Sequence, residues 1–99
     1  MNANESKVFY AVCEGAYQDC GYDVEFISKI VELTVHQVKG YIGSLAKKGA
    51  VRTMSDRVNG QDWTTILPTW APGWFLSDEM GRGEFETRVH EEWLKLKEA

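Results

Sequence analysis

No stretch of this 99-residue chain approaches the roughly 20 consecutive apolar residues that a membrane-spanning helix needs. The opening MNANESK also lacks the basic-then-apolar pattern of a secretory signal, so a cytoplasmic protein with no membrane partner is expected. Cysteine is scarce. Cys13 and Cys20 stand seven residues apart, and on one helix that spacing separates them by roughly 10 Å, too far for a disulfide. With no second cysteine pair and no neighbouring histidine, neither a zinc site nor any other cofactor is expected; Cys13 reads as a small core residue and Cys20 as a helix-end residue. The only histidines, His36 and His90, fall in different segments. Glu86 and His90 are four apart on a helix, but two ligands do not hold a metal ion, and the charged run around them reads as a salt-bridging face. There is no glycine-rich phosphate loop. No residue is nominated as catalytic, and a non-enzyme is expected.

The two prolines, Pro68 and Pro72, mark the only break, and no repeat or low-complexity tract divides the chain. One domain of 99 residues is therefore expected, with a three-helix core over 1–49, a hairpin over 50–67, an aromatic connector over 68–83 and a last helix over 84–98. Val8, Phe9, Val12, Cys13, Ala16 and Tyr17 recur at three and four, which predicts a first helix from Glu5 to Asp19 with Asn4 as its cap and Gly21 past its end. Asp23 is placed to cap a second helix, Val24 to Glu32, with Phe26, Ile27, Ile30 and Val31 as its buried face. Thr34 caps a third, Val35 to Lys48, whose apolar positions are Val38, Tyr41, Ile42 and Leu45. The joint between the second and third helices is about two residues long, which suits a helix-turn-helix. Beyond Gly49 the period changes to that of strands at Ala50–Met54 and Asp62–Leu67, around a polar loop containing Asn59-Gly60. Helices followed by a hairpin define an α+β winged helix-turn-helix with an extra C-terminal helix.

The run Leu33-Thr34-Val35-His36-Gln37-Val38-Lys39-Gly40-Tyr41-Ile42-Gly43-Ser44-Leu45-Ala46-Lys47-Lys48-Gly49-Ala50-Val51 resembles the recognition helix and first wing strand of MarR-type winged-helix regulators. In that pattern a Leu-Ser/Thr opens the helix, aliphatics recur, and Lys-Lys-Gly turns into the wing. The resemblance implies duplex DNA as partner and transcription regulation as function, while what departs from the pattern favours a small viral or plasmid accessory factor. Three features depart from the pattern. The first helix begins almost at the N-terminus, where such regulators carry a long dimerisation helix; Gly40 and Gly43 interrupt the recognition helix; and Pro68–Phe75 has no counterpart.

Overall charge, −4, runs against nucleic acid, but its distribution does not. Residues 35–54 carry Lys39, Lys47, Lys48 and Arg52 with no acid, while every other block is net negative. Acids facing phosphates would repel them, so their exclusion here is physically sensible. His36 and Gln37 open the helix where base edges are read, and a glutamine can pair bidentately with adenine. Lys39, Tyr41 and Ser44 extend that surface, Lys47, Lys48 and Arg52 reach phosphates, and Arg57 sits at the wing tip. The rival reading is a non-catalytic adaptor or inhibitor that uses the same scaffold to bind a protein partner. Trp70, Trp74 and Trp93 carry a separate question: they cover the core, or they form an interface with a second copy or partner. The last helix, with Phe85, Val89, Trp93 and Leu96 on one face, poses the same alternative.

Overall fold

Three and four residue spacing in the first third of the chain does produce the central helix. A computed structural model describes residues 3–19, 21–71 and 76–98, and the side chains of all of these except Val58 and Glu98. The elements are α1 (Ala3–Gln18), α2 (Val24–Val31), α3 (Val35–Lys47), β1 (Val51–Val58), β2 (Gln61–Pro68), a 3-10 turn (Leu76–Asp78) and α4 (Arg82–Glu98). This is the expected α+β winged helix: three helices, an antiparallel two-stranded hairpin and a closing helix. None of the described helices is long and apolar enough to cross a membrane.

α1 packs on α2, α3, β2, the 3-10 turn and α4, and Val8, Phe9, Val12, Cys13 and Ala16 are fully enclosed. It starts ahead of the expected cap. Asn4 lies within the first turn, half-buried, because the helix already includes Ala3. The chain leaves α1 through Gly21, whose amide donates to the Gly15 carbonyl at 3.2 Å, and then doubles back as Tyr22. A Cβ on Gly15 would stand 2.8 Å from the Tyr22 ring and 2.9 Å from its backbone nitrogen, so the close approach requires glycine. Tyr22 then forms a one-residue bridge to β2, accepting the Ile66 amide at 2.9 Å. No periodicity in the sequence marks a strand of one residue.

α2 corrects an expectation. Asp23 caps it as foreseen, accepting the Phe26 amide at 2.7 Å, but of the four residues assigned to its buried face only Ile27 is enclosed. Val31 is half-buried, and Phe26 and Ile30 are each 46% exposed. Two turns of helix, followed at once by a reversal at Glu32 (φ 58°), present a core-facing arc about one side chain wide. Ser28 clamps that reversal by donating its hydroxyl to the Leu33 carbonyl. α3 then begins at a capping box: Thr34 Oγ1 accepts the Gln37 amide at 3.1 Å, and Gln37 Oε1 accepts the Thr34 amide at 3.0 Å. Val38, Ile42 and Leu45 are buried against α1 and α2, and Tyr41 is half-buried.

The hairpin is longer than the sequence suggests. Val58 pairs with Gln61, so the loop shrinks to Asn59 (φ 53°) and Gly60 (φ 80°), both left-handed as a type I′ turn demands. The polar stretch expected as loop is strand. Beyond the body neither face needs to be apolar, and cross-strand pairs suffice: Ser55 with Thr64 at 3.2 Å, and Arg57 with Asp62 at 3.2 Å.

α4 starts two residues before Glu84 and takes Gly83 into its first turn. Glycine there costs about 1 kcal/mol, and Arg82 supplies the compensating contacts. Its guanidinium forks onto the Glu14 carboxylate at 2.5 and 2.6 Å, bonds Glu86 at 3.0 Å, and lies over the Tyr17 and Phe85 rings. Phe85, Val89 and Trp93 pack on the chain's own α1, with Tyr17 to Phe85 at 4.3 Å and Phe9 to Trp93 at 5.6 Å between centroids. That answers the alternative left open for the aromatic stripe of the last helix.

Candidate nucleic-acid interface

The outward face of α3 is set by what its inward face must bury. With Val38, Ile42 and Leu45 pinned to the core, a 3.6-residue repeat turns His36, Gln37, Lys39, Gly40, Gly43 and Lys47 to solvent. A Cβ on Gly40 or Gly43 would meet nothing within 4 Å, so no neighbour among the described residues requires glycine at either position. The missing side chain at Gly40 faces an open hollow of about 450 Å³ lined by His36, Gln37, Gly40, Tyr41, Ser44 and Glu5. Four residues expected to read DNA (His36, Gln37, Tyr41 and Ser44) therefore share one surface.

Two of the expected contacts are engaged elsewhere. Glu5 of α1, only 5% exposed, reaches beneath the end of α3 and accepts from Lys48 Nζ at 2.7 Å and from Ser44 Oγ at 3.3 Å. The basic block is free of acids along the sequence but not in space. Lys48 balances the charge of a buried carboxylate and Ser44 donates a hydrogen bond to it, so both groups are already engaged where phosphate and base contacts were expected of them. A single glutamate some forty residues upstream offers no sequence signal for this. Gln37 is also constrained, because its Oε1 closes the capping box. The Thr-x-x-Gln spacing was the available signal for that bond. A bidentate pairing with adenine would use the same oxygen, which would then accept from the cap and from the base together.

Lys39, Lys47 and Arg52 remain exposed and make no ion pair among the described residues. Arg57 is exposed at the wing tip, but its Nε donates to Asp62 at 3.2 Å, and Asp56 stands beside it. The tip thus carries two acids and one base. It is a poorer phosphate contact than its arginine alone suggests.

The tryptophans divide. Trp93 is 8% exposed within the core, and half-buried Trp70 donates Nε1–H to Cys13 Sγ at 3.4 Å beneath the Arg88 guanidinium. These two rings pack within their own chain, the first of the two alternatives open for them. Trp74 and Cys20 lie outside the described residues. Trp63, within the strand expected at Asp62–Leu67, is 49% exposed on the wing. Burial pushes the Cys13 thiol up to about 12, with the Trp70 hydrogen bond opposing and Glu92 and Glu14 adding to it. It is a protonated core residue at neutral pH. His90 meets the Tyr10 hydroxyl at 3.4 Å and Glu86 meets Arg82, so that pair does not converge. Among the described residues no three His, Cys, Asp or Glu side chains are grouped to hold a metal.

No protein-family model matches the chain, and no characterised protein matches it by sequence. Its fold does match a solved structure, the X-ray crystal structure of a transcriptional regulator (MarR family) from Rhodococcus sp. RHA1. The similarity covers 93% of this chain with a TM-score of 0.54 and 16% identity. The chain spans 57% of that regulator's length. The likeness is one of fold, and it carries the winged helix through nearly the whole chain.

Proposed function

We propose that this chain is a non-catalytic winged-helix protein that binds duplex DNA with the outward face of α3, in the service of transcription regulation. The observation that carries this is the pairing of charges. After Lys48 is assigned to Glu5 and Arg57 to Asp62, the cations of this region left without an ion pair among the described residues are Lys39, Lys47 and Arg52, all on α3 or the first residues of β1. His36 lies at the N-terminal end of the same face, where a recognition helix meets base edges. Three phosphate contacts per chain give modest affinity and a shallow salt slope.

The test is fluorescence anisotropy on random-sequence duplex across a salt series. Each of Lys39→Ala, Lys47→Ala and Arg52→Ala should weaken binding and lower the slope of log K against log salt by about 0.9. Lys48→Ala and Arg57→Ala should lower it less. No binding at tens of micromolar protein in low salt, or a slope indifferent to all three, would sink the reading. One observation favours the adaptor alternative: Phe26 and Ile30 on α2 and Trp63 on the wing are large apolar side chains about half exposed. Under that reading Phe26→Ser with Ile30→Ser abolishes partner binding and leaves the anisotropy untouched.

A further inference from the structure

The outer edge of the wing is self-complementary, and we infer that two copies of this chain pair through β1, antiparallel about a twofold axis at Met54. The hydrogen-bond parity of the hairpin comes first. A two-residue turn at Asn59-Gly60 makes Val58 and Gln61 a hydrogen-bonded pair, so 56 with 63, 54 with 65 and 52 with 67 are bonded in turn. The backbone groups of 51, 53, 55 and 57 then point away from β2. Three details agree with that parity. The Ile66 amide leaves the hairpin for Tyr22, the Arg57 amide turns to its neighbour Asp56 at 2.8 Å, and Pro68, which has no amide hydrogen, stands opposite Val51 at an unbonded position. β2 has Tyr22 on its far side, whereas β1 pairs with β2 alone among the described residues. The amides and carbonyls of Thr53 and Ser55 are thus directed outward on an exposed strand without a proline or a bulge, an arrangement that templates further pairing.

Charge selects the occupant and the register. A second β1 bonded through its own outward groups has few twofold registers to choose from. Centred on Asp56, the pairing sets two like charges face to face. Centred on Ser55, it sets Asp56 against Met54; centred on Thr53, it sets Arg52 against Met54. Centred on Met54, it sets Arg52 of each copy against Asp56 of the other, twice, and brings the two half-buried Met54 side chains together. Thr53 and Ser55 then exchange the hydrogen bonds. Arg52 has no ion-pair partner of its own among the described residues, and it shares a strand face with Met54 and Asp56. Directly opposed side chains at unbonded positions approach closely enough for the ion pair to form. A strip this narrow falls short of the roughly 800 Å² per partner of a standard stable interface, so the dimer is a mass-action one, populated at high protein concentration.

Sedimentation equilibrium of the chain without DNA, in low salt from about 10 µM to about 1 mM, tests the pairing separately from the DNA reading. The expected weight-average mass rises toward twice that of the monomer. Arg52→Asp and Asp56→Arg each hold it at the monomer value, and the two substitutions together restore the rise. Ser55→Pro removes one outward amide without touching the β1–β2 bonds and abolishes association, with circular dichroism confirming the fold. A monomer throughout overturns the inference, as does a dimer indifferent to the single substitutions or one that the charge swap fails to restore.

Discussion

The body and the wing of this molecule are held together by different physics. In the body, α1 and α4 meet through Phe9, Tyr17, Phe85, Val89 and Trp93, and nearly every enclosed side chain is apolar. In the wing, β1 and β2 run out past the core with exposed residues on both faces, held by backbone pairing, two cross-strand side-chain bonds and a two-residue turn. Area removed from water dominates the first, and local geometry the second. A substitution in the body should therefore be felt by the whole fold, and one at the wing tip only by the hairpin.

The largest expected effect comes from breaking the body. Phe9→Ala removes a ring that is 1% exposed and touches Tyr10 and Trp93, and should cost about 3–5 kcal/mol in chemical denaturation. Its counterpart at the tip is Gly60→Ala, which places a side chain at φ 80° and should cost about 1–2 kcal/mol. Amide exchange should separate them further. Gly60→Ala should accelerate exchange within 51–68 and leave α1 protected, whereas Phe9→Ala should loosen every helix. Equal loss of protection in α1 from both variants would mean that wing and body form one cooperative unit.

The seam between the two regions, where α3 runs into β1, gives a smaller effect that divides the basic residues by role. Lys48→Ala strips one charged partner from a buried Glu5, which keeps the Ser44 hydroxyl, and Lys48 is about one-third exposed so water screens part of the loss; about 1–2 kcal/mol is expected. Lys39→Ala and Lys47→Ala should change stability by less than about 0.5 kcal/mol. If thermal unfolding ranks all three alike, Lys48 is not the structural member of the group.

What could be read in advance follows the same division. The caps at Asp23 and Thr34, the stripes of α1 and α3 and the turn at Asn59-Gly60 were legible because each is a local pattern with a local cause. The buried face of α2 was overdrawn, since periodicity counts apolar residues but does not measure how wide an arc the neighbours leave room to cover. The ends of the strands were missed because Ser55, Asp56 and Arg57 look like loop unless their partners Thr64, Trp63 and Asp62 are known. The charge map erred for a related reason. Glu5 and Lys48 are 43 residues apart in sequence, and only the packing of α1 under α3 brings them to 2.7 Å.

The smallest effect tests how α4 is fastened to α1. The Arg82 guanidinium, by hydrogen bonding, holds the Glu14 carboxyl below its ordinary value, with burial opposing and charge attraction adding to the shift. A carboxyl depressed in the folded state binds its proton more readily when unfolded. Its contribution to stability is therefore fully present above the unfolded value, roughly 4.3, and is lost as pH falls through the lower folded value. Glu14→Gln should accordingly flatten the fall in melting temperature at acid pH relative to the parent chain, while lowering stability modestly at pH 7. The pair is partly solvated, so the difference should also shrink in high salt. An acid limb with the same slope in both proteins would place the fastening of α4 in its apolar stripe alone, and the Arg82 fork would then add direction to a contact whose strength comes from Phe85, Val89 and Trp93.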